Sequence, residues 1–121
     1  MAAISRVFHV EQSKKALIVA PQGDAVGFRE SDIRDELRVL HNLIDEPGIP
    51  NLVVDLGNAN YFGSAIIGAI AELGEKVVKC DGRINVCKAS EDMQRVLEVL
   101  RLDTVWDQYP SRKKSLKALK R

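Results

Sequence analysis

Residues 52–71 read LVVDLGNANYFGSAIIGAIA, and this stretch decides the fold. The run 52–56 is compact and rich in β-branched residues, which predicts a buried, central strand. Residues 57–60 consist mostly of Gly and Asn and predict a loop, and a helix is expected to start near Ser64. The helix carries a wide apolar stripe, which predicts that most of the circumference of the helix is packed against the sheet. The stripe comprises Ile66, Ile70, Leu73 and Val77, with Ile67, Ala71, Gly74 and Val78 beside it.

Two strands and a helix are predicted on the N-terminal side. Polar and apolar residues alternate over 6–11, which predicts a half-buried strand, and the apolar run 16–20 predicts its hairpin partner. From Ser31 the apolar spacing becomes helical, and the proline-containing segment 46–50 ends that helix. The predicted inward face consists of Ile33, Leu37, Leu40 and Ile44.

The C-terminal side continues the alternation of strands and helices. Residues 83–88 predict a strand, Ser90 suits the N-cap of a third helix, and a short last strand is expected at Val105 and Trp106. A final basic helix follows Pro110. The third helix is expected to turn Met93, Val96, Leu97 and Leu100 inward. The order β-β-α-β-α-β-α-β-α predicts a single α/β domain over residues 1–121 with a mixed sheet.

Composition narrows the class of protein. The chain has 121 residues, a formal charge of +1 and 45% hydrophobic residues, which suits one globular core and argues against a nucleic-acid-binding surface. No run is long enough to span a bilayer, the N-terminus lacks an apolar signal core, and two cysteines are too few for a disulfide-stapled secreted module. These features predict a soluble cytoplasmic protein.

Signatures of enzymes and cofactor sites are missing from the sequence. Neither a phosphate-binding loop nor a dinucleotide-binding glycine motif occurs, and His9, His41, Cys80 and Cys87 lack the spacing of metal ligands. Ser64 is not flanked by the glycines that a nucleophile elbow requires. We therefore expect no enzymatic activity, no metal and no cofactor.

Residues 55–68 resemble the hallmark of the STAS domain, which is shared by sulfate transporters and anti-sigma-factor antagonists. In that family a buried strand ends in Asp, and a motif like Asp-Ser-Ser-Gly-Leu-Gly opens the next helix. The matching residues here read Gly-Ser-Ala-Ile-Ile-Gly at 63–68. The resemblance implies a small mixed sheet of about five strands, with about four helices packed mainly on one face.

The resemblance also implies a function. The serine that matches Ser64 is phosphorylated in the family by an ATP-binding serine kinase or anti-sigma factor, and phosphorylation releases that partner. A helix N-terminus accepts added negative charge without harm to its own domain. The motif differs here at three positions, where Gly63 replaces Asp, Ala65 replaces a second hydroxyl residue and Ile66 replaces Gly. A single hydroxyl group therefore remains as the acceptor.

Several alternatives stay open at this stage. Ser64 could act only as a helix cap, and Asp55 could order the following loop rather than touch a partner. The chain could also be a non-phosphorylated scaffold subunit, or a sensor of a nucleotide or lipid. Neither nucleic acid nor a membrane is expected as a partner, while a homodimer stays open. The candidate partner-binding residues are Asp55, Asn58, Tyr61, Phe62, Gly63, Ser64, Ala65 and Ile66.

The last ten residues carry six positive charges and no acid. Leu116 and Leu119 lie on one side of this predicted helix. We expect the leucines to dock on the domain and the lysines to point to water.

Overall fold

The computed structural model describes residues 2–3, 7–13, 16–22, 30–45, 51–58 and 64–119. Within these residues, six strands form one mixed sheet in sequential order. The strands are β1 (Ala2–Ala3), β2 (Phe8–Gln12), β3 (Leu17–Pro21), β4 (Leu52–Asp55), β5 (Ile84–Cys87) and β6 (Asp107–Tyr109). The helices are α1 (Glu30–Ile44), α2 (Ser64–Lys79), α3 (Glu91–Val99) and α4 (Arg112–Lys117), and a 3-10 turn spans Leu102–Thr104.

The connections determine the strand directions. The first three strands pair antiparallel, as expected where strands follow one another through tight connections. The pairs from β3 to β6 are parallel, because α1, α2 and α3 lie between them in the chain and carry it back to the starting edge. The predicted α/β fold is confirmed.

The two faces of the sheet are covered unequally. The larger core lies beneath α1, α2 and α3, and it contains the whole predicted inward face of α1 and the main stripe of α2. The opposite face carries a small cluster in which α4 covers the sheet, formed by Ala16, Ile18, Val53, Cys87 and Leu119. Three of the four helices therefore share one face, as predicted.

The C-terminal half departs from the prediction in its details. Val105 is 62% exposed and no strand forms there; the 3-10 turn occupies the connection, and Trp106 is buried next to β6. Leu100 is 51% exposed, since α3 ends at Val99 and Leu100 is its C-cap. Lys88 has a φ of 60°, which is incompatible with an extended strand and ends β5 earlier than predicted.

The predicted flank of the α2 stripe is also wrong at one position. Val78 is 59% exposed. It lines a shallow apolar groove together with Val105 and Leu102. The sheet covers only the side of α2 that carries Ile70, Leu73 and Val77, so Val78 is left at the margin of the interface.

Candidate functional site

The candidate site lies where β4 ends and α2 begins. In a parallel sheet the carboxyl ends of the strands and the N-termini of the following helices meet at one edge, which is where such folds place their binding sites. Here β4 ends at Asp55, and α2 begins at Ser64. The predicted start of α2 is confirmed.

Asp55 is a buried polar residue at this edge with several partners. It is a buried residue, 4% exposed, and its carboxylate is nevertheless fully used. Oδ1 accepts a hydrogen bond of 2.9 Å from the backbone N–H of Gly57. Oδ2 accepts from Nε and Nη2 of Arg112 at 3.1 and 2.9 Å, and Nζ of Lys88 lies 3.9 Å away. Asp55 thus orders the start of the following turn, which agrees with one of its two predicted roles.

Arg112 joins the last helix to the strand ends. Its third interaction is a 2.9 Å hydrogen bond from Nη1 to Oε2 of Glu11 on β2. Burial lowers the pKa of Arg112, but the hydrogen bonds and negative charges of Glu11 and Asp55 raise it by more than burial lowers it. The pKa of Arg112 therefore lies above its usual value. Arg112 therefore does not belong to the solvated lysine face, because two carboxylates bind it.

The rest of α4 follows the prediction. Lys113, Lys114 and Lys117 are exposed. Leu119 is buried and Leu116 packs against the same cluster, so the two leucines dock the C-terminal segment. Ser111 caps the helix by accepting from the N–H of Lys114 at 3.1 Å.

In the first turns of α2, the inward face is apolar and the outward face consists of small residues. Ile66 is 2% exposed and belongs to the larger core. Ala65 and Gly68 are exposed, and a Cβ built on Gly68 would meet no atom within 4 Å. No acidic residue occurs in the first turn. The surface beside Ser64 is accordingly open and made of small residues, and the first turn of α2 adds no negative charge to it.

A groove runs from this surface between α1 and α2. It has a volume of about 440 Å³ and combines apolar residues of both helices with one basic and one acidic side chain. Its lining residues are Ile33, Arg34, Leu37, Ala65, Gly68, Ala69 and Glu72. A partner that contacts the start of α2 would meet this groove directly beside it.

The predicted site residues divide into three groups. Asp55 and Ile66 are buried, whereas Asn58 and Ala65 are exposed. Tyr61, Phe62 and Gly63 lie outside the described residues, as does the side chain of Ser64, so the choice between cap and acceptor stays a prediction. Reasoning from the sequence missed Arg112, Lys88 and Glu11, because no local pattern connects them to Asp55.

The described residues contain no other feature of a chemical site. No three His, Cys, Asp or Glu side chains within these ranges are grouped so that they could hold a metal ion. No helix in 30–45 or 64–119 is both long and apolar enough to cross a membrane. Cys80 is exposed and Cys87 is buried, and both are free thiols.

Comparisons with known proteins bear on the family and the fold. The STAS domain profile matches residues 8–115. An anti-sigma-factor antagonist (STAS) domain protein from Planctomyces limnophilus has 21% identity, covering 93% of this chain and 97% of that chain, with a TM-score of 0.75. An anti-sigma factor antagonist from Mycobacterium paratuberculosis has 23% identity, coverages of 96% and 98%, and a TM-score of 0.71.

A third structure is the phosphorylated form of SpoIIAA, described as a Bacillus cell fate determinant. It has 10% identity to this chain, covers 93% of this chain and 99% of its own, and gives a TM-score of 0.73. At these identities the likeness establishes a shared fold. No curated protein sequence matches the chain significantly.

Proposed function

The chain belongs to the STAS domain family, and from this premise we propose that it is a cytoplasmic regulatory module of the anti-sigma-factor-antagonist type. In this proposal it has no enzymatic activity of its own. The unmodified protein binds an anti-sigma factor or serine kinase of the ATP-binding type, and phosphorylation of Ser64 releases that partner.

The observation that carries the proposal is the position of Ser64 as the first residue of α2. The backbone amides of a helix's first turn are unpaired within the helix and carry the positive end of its dipole, so they favour a phosphate there. Because that turn contains no acidic residue, it does not repel the negative charge of a phosphate. A phosphate on Ser64 would thus be compatible with the fold of its own domain.

The effect of the phosphate would fall on the partner. Phosphorylation adds a charge of about −1.5 to −2. The neighbouring outer surface of α2 consists of the small exposed residues Ala65 and Gly68, and a partner packed there would have to desolvate the phosphate. The description of SpoIIAA in a phosphorylated form supports the same chemistry on this fold.

The acceptor is tested with the ATP-dependent serine kinase encoded nearest to this gene. We expect incubation with that kinase and ATP to add one phosphate group, located at Ser64 by tandem mass spectrometry, and Ser64→Ala to abolish it. Ser31→Ala is the matched control, because Ser31 is an exposed serine in the first turn of α1. Phosphate on Ser31, or none on either serine, would count against the proposal.

The switch is tested by calorimetric titration of the same kinase. We expect unmodified protein to bind and the phosphorylated protein to bind at least about tenfold more weakly, a difference of about 1.4 kcal/mol. Equal affinities would favour the alternative of a constitutive scaffold subunit, in which the surface beside Ser64 binds without being gated.

A further inference from the structure

The two oxygens of the Asp55 carboxylate hold two different parts of the chain. Oδ1 accepts the N–H of Gly57, in the turn that begins the connection to Ser64. Oδ2 accepts two N–H groups of Arg112, the first residue of α4. A single buried carboxylate therefore links the C-terminal helix to the segment that leads to the candidate acceptor.

The Arg112 guanidinium fixes the orientation of this carboxylate. A planar guanidinium that donates two hydrogen bonds to one partner restricts that partner's rotation, which a lysine ammonium does not. A further bond of 2.9 Å to Glu11 anchors the guanidinium itself. With Oδ2 held in this way, Oδ1 is directed at the N–H of Gly57.

The turn at Gly57 leaves no space for a side chain at this position. A Cβ built on Gly57 would lie 2.8 Å from Cδ of Lys88 and 3.0 Å from Oδ1 of Asp55. The backbone therefore packs directly against the Lys88 stem and the carboxylate. Lys88 does not replace Arg112, since its Nζ is 3.9 Å from Oδ2 and outside hydrogen-bond distance.

We propose that Arg112 is a positioning residue for the Gly57 turn, which precedes Ser64 in the chain, and that it acts through Asp55. The effect of Arg112 on phosphorylation of Ser64 rests on the proposed function, whereas its effect on the turn rests on the contacts described above. Docking of α4 and the geometry of the Gly57 turn are then coupled, and loss of Arg112 makes Ser64 a poorer substrate although Arg112 lies 48 positions further along the chain.

The geometric part is tested without any kinase, by amide hydrogen exchange of Arg112→Met. We expect exchange of the Gly57 N–H to become about tenfold faster, because its acceptor is no longer held. The N–H of Met93, which donates to Oγ of Ser90 at 3.1 Å, is the internal reference and should be unchanged. Lys113→Met is the matched control, an exposed positive charge removed one residue away.

The expected pattern is specific to the Gly57 turn. Equal acceleration at Gly57 and Met93 would mean general destabilisation and would overturn the proposal, as would an unchanged Gly57. Because Arg112→Met deprives a buried carboxylate of its two guanidinium hydrogen bonds and could prevent folding, Arg112→Lys serves as a second variant. It keeps the charge and loses the fork, so it should also accelerate Gly57 selectively.

The functional part is tested with the kinase used above. We expect Arg112→Met to raise the KM for phosphorylation of Ser64 about tenfold with a much smaller change in kcat, because the Gly57 turn must then be ordered when the kinase docks. In an Asp55→Asn background, Arg112→Met should have little further effect, since both residues act on the same turn. Additive effects of the two substitutions would overturn the proposed route through Asp55.

The two proposals can fail separately. If no variant is phosphorylated but Gly57 exchange responds to Arg112, the phospho-switch is wrong and the coupling of α4 to the turn stands. If Ser64 is phosphorylated at the same rate in Arg112→Met as in the unaltered protein, the switch stands and the positioning role is wrong.

Discussion

At the scale of single residues, Cys87 illustrates how position changes chemistry. Its side chain is fully buried beneath α4 at the end of β5. The pKa of the thiol is raised from 9.0 to about 11, chiefly by burial and also by the negative charge of Asp55, while the positive charges of Arg112 and Lys88 lower it. The folded protein therefore holds this proton over a pH range in which the unfolded chain releases it.

The pKa of Cys87 predicts a loss of stability in alkali. Between pH 9 and about 11 the unfolded state binds fewer protons than the folded state, so the free energy of unfolding falls as the pH rises. We expect a loss of roughly 2 kcal/mol over this range from Cys87 alone. Urea unfolding of the unaltered protein and of Cys87→Ala at pH 8 and pH 10.5 measures it.

The informative quantity is how much the free energy of unfolding changes with pH in each protein, since Cys87→Ala also leaves a small cavity that lowers this free energy at every pH. Other groups titrate equally in both proteins. Parallel profiles would contradict the raised pKa of Cys87.

At the scale of elements, α2 carries two helical glycines in opposite environments. A Cβ at Gly68 would meet nothing within 4 Å, whereas one at Gly74 would lie 3.0 Å from Cδ1 of Ile84 and 3.4 Å from Nε1 of Trp106. Gly74 therefore allows the strand and the indole to approach the helix closely, and Gly68 leaves an open surface beside the candidate site.

These environments predict different effects of the same substitution. Gly68→Ala should raise the free energy of unfolding by about 0.5–1 kcal/mol, because alanine loses less backbone entropy in a helix. Gly74→Ala has the same intrinsic gain, but Ile84 and Trp106 must shift to admit the methyl group, so its net gain should be clearly smaller or negative. Thermal unfolding of both variants tests this, and equal gains would show that the neighbours of Gly74 yield freely.

At the scale of the whole molecule, the larger core was predictable and the polar links were not. The inward residues of α1 and the stripe of α2 follow local periodicity, which a sequence displays directly. The contact between Asp55 and Arg112 joins residues 57 positions apart. It depends on where α4 docks on the sheet, so no spacing in the sequence could reveal it. The end of β5 was misplaced for a similar reason, since the positive φ of Lys88 has no signature in a lysine.

We expect the contact of α4 with the sheet to be weaker than the contact of the other three helices, because the apolar cluster beneath α4 is small. Below it, Nδ2 of Asn85 donates to the carbonyl of Ser115 at 3.1 Å. Oδ1 of Asn85 and Oγ of Ser115 are buried and have no hydrogen-bond partner in the part of the chain that the structure describes. Buried polar atoms without partners weaken an interface, and the apolar cluster there is small. The face of the sheet under α4 should therefore become exposed before the face under α1, α2 and α3.

This difference between the faces is tested with the buried thiol as a reporter. In a Cys80→Ala background, only Cys87 can react with a thiol reagent. Leu119→Ala removes the main apolar contact of the C-terminal segment and should cost about 2 kcal/mol. Leu97→Ala, on α3 over the larger core, is the matched control of comparable size. We expect Cys87 to react at least about tenfold faster at pH 8 in Leu119→Ala than in Leu97→Ala, because local opening needs less free energy than global unfolding. If the rate of Cys87 modification in each variant is explained by its free energy of global unfolding alone, α4 does not open separately, and both faces of the sheet are exposed together.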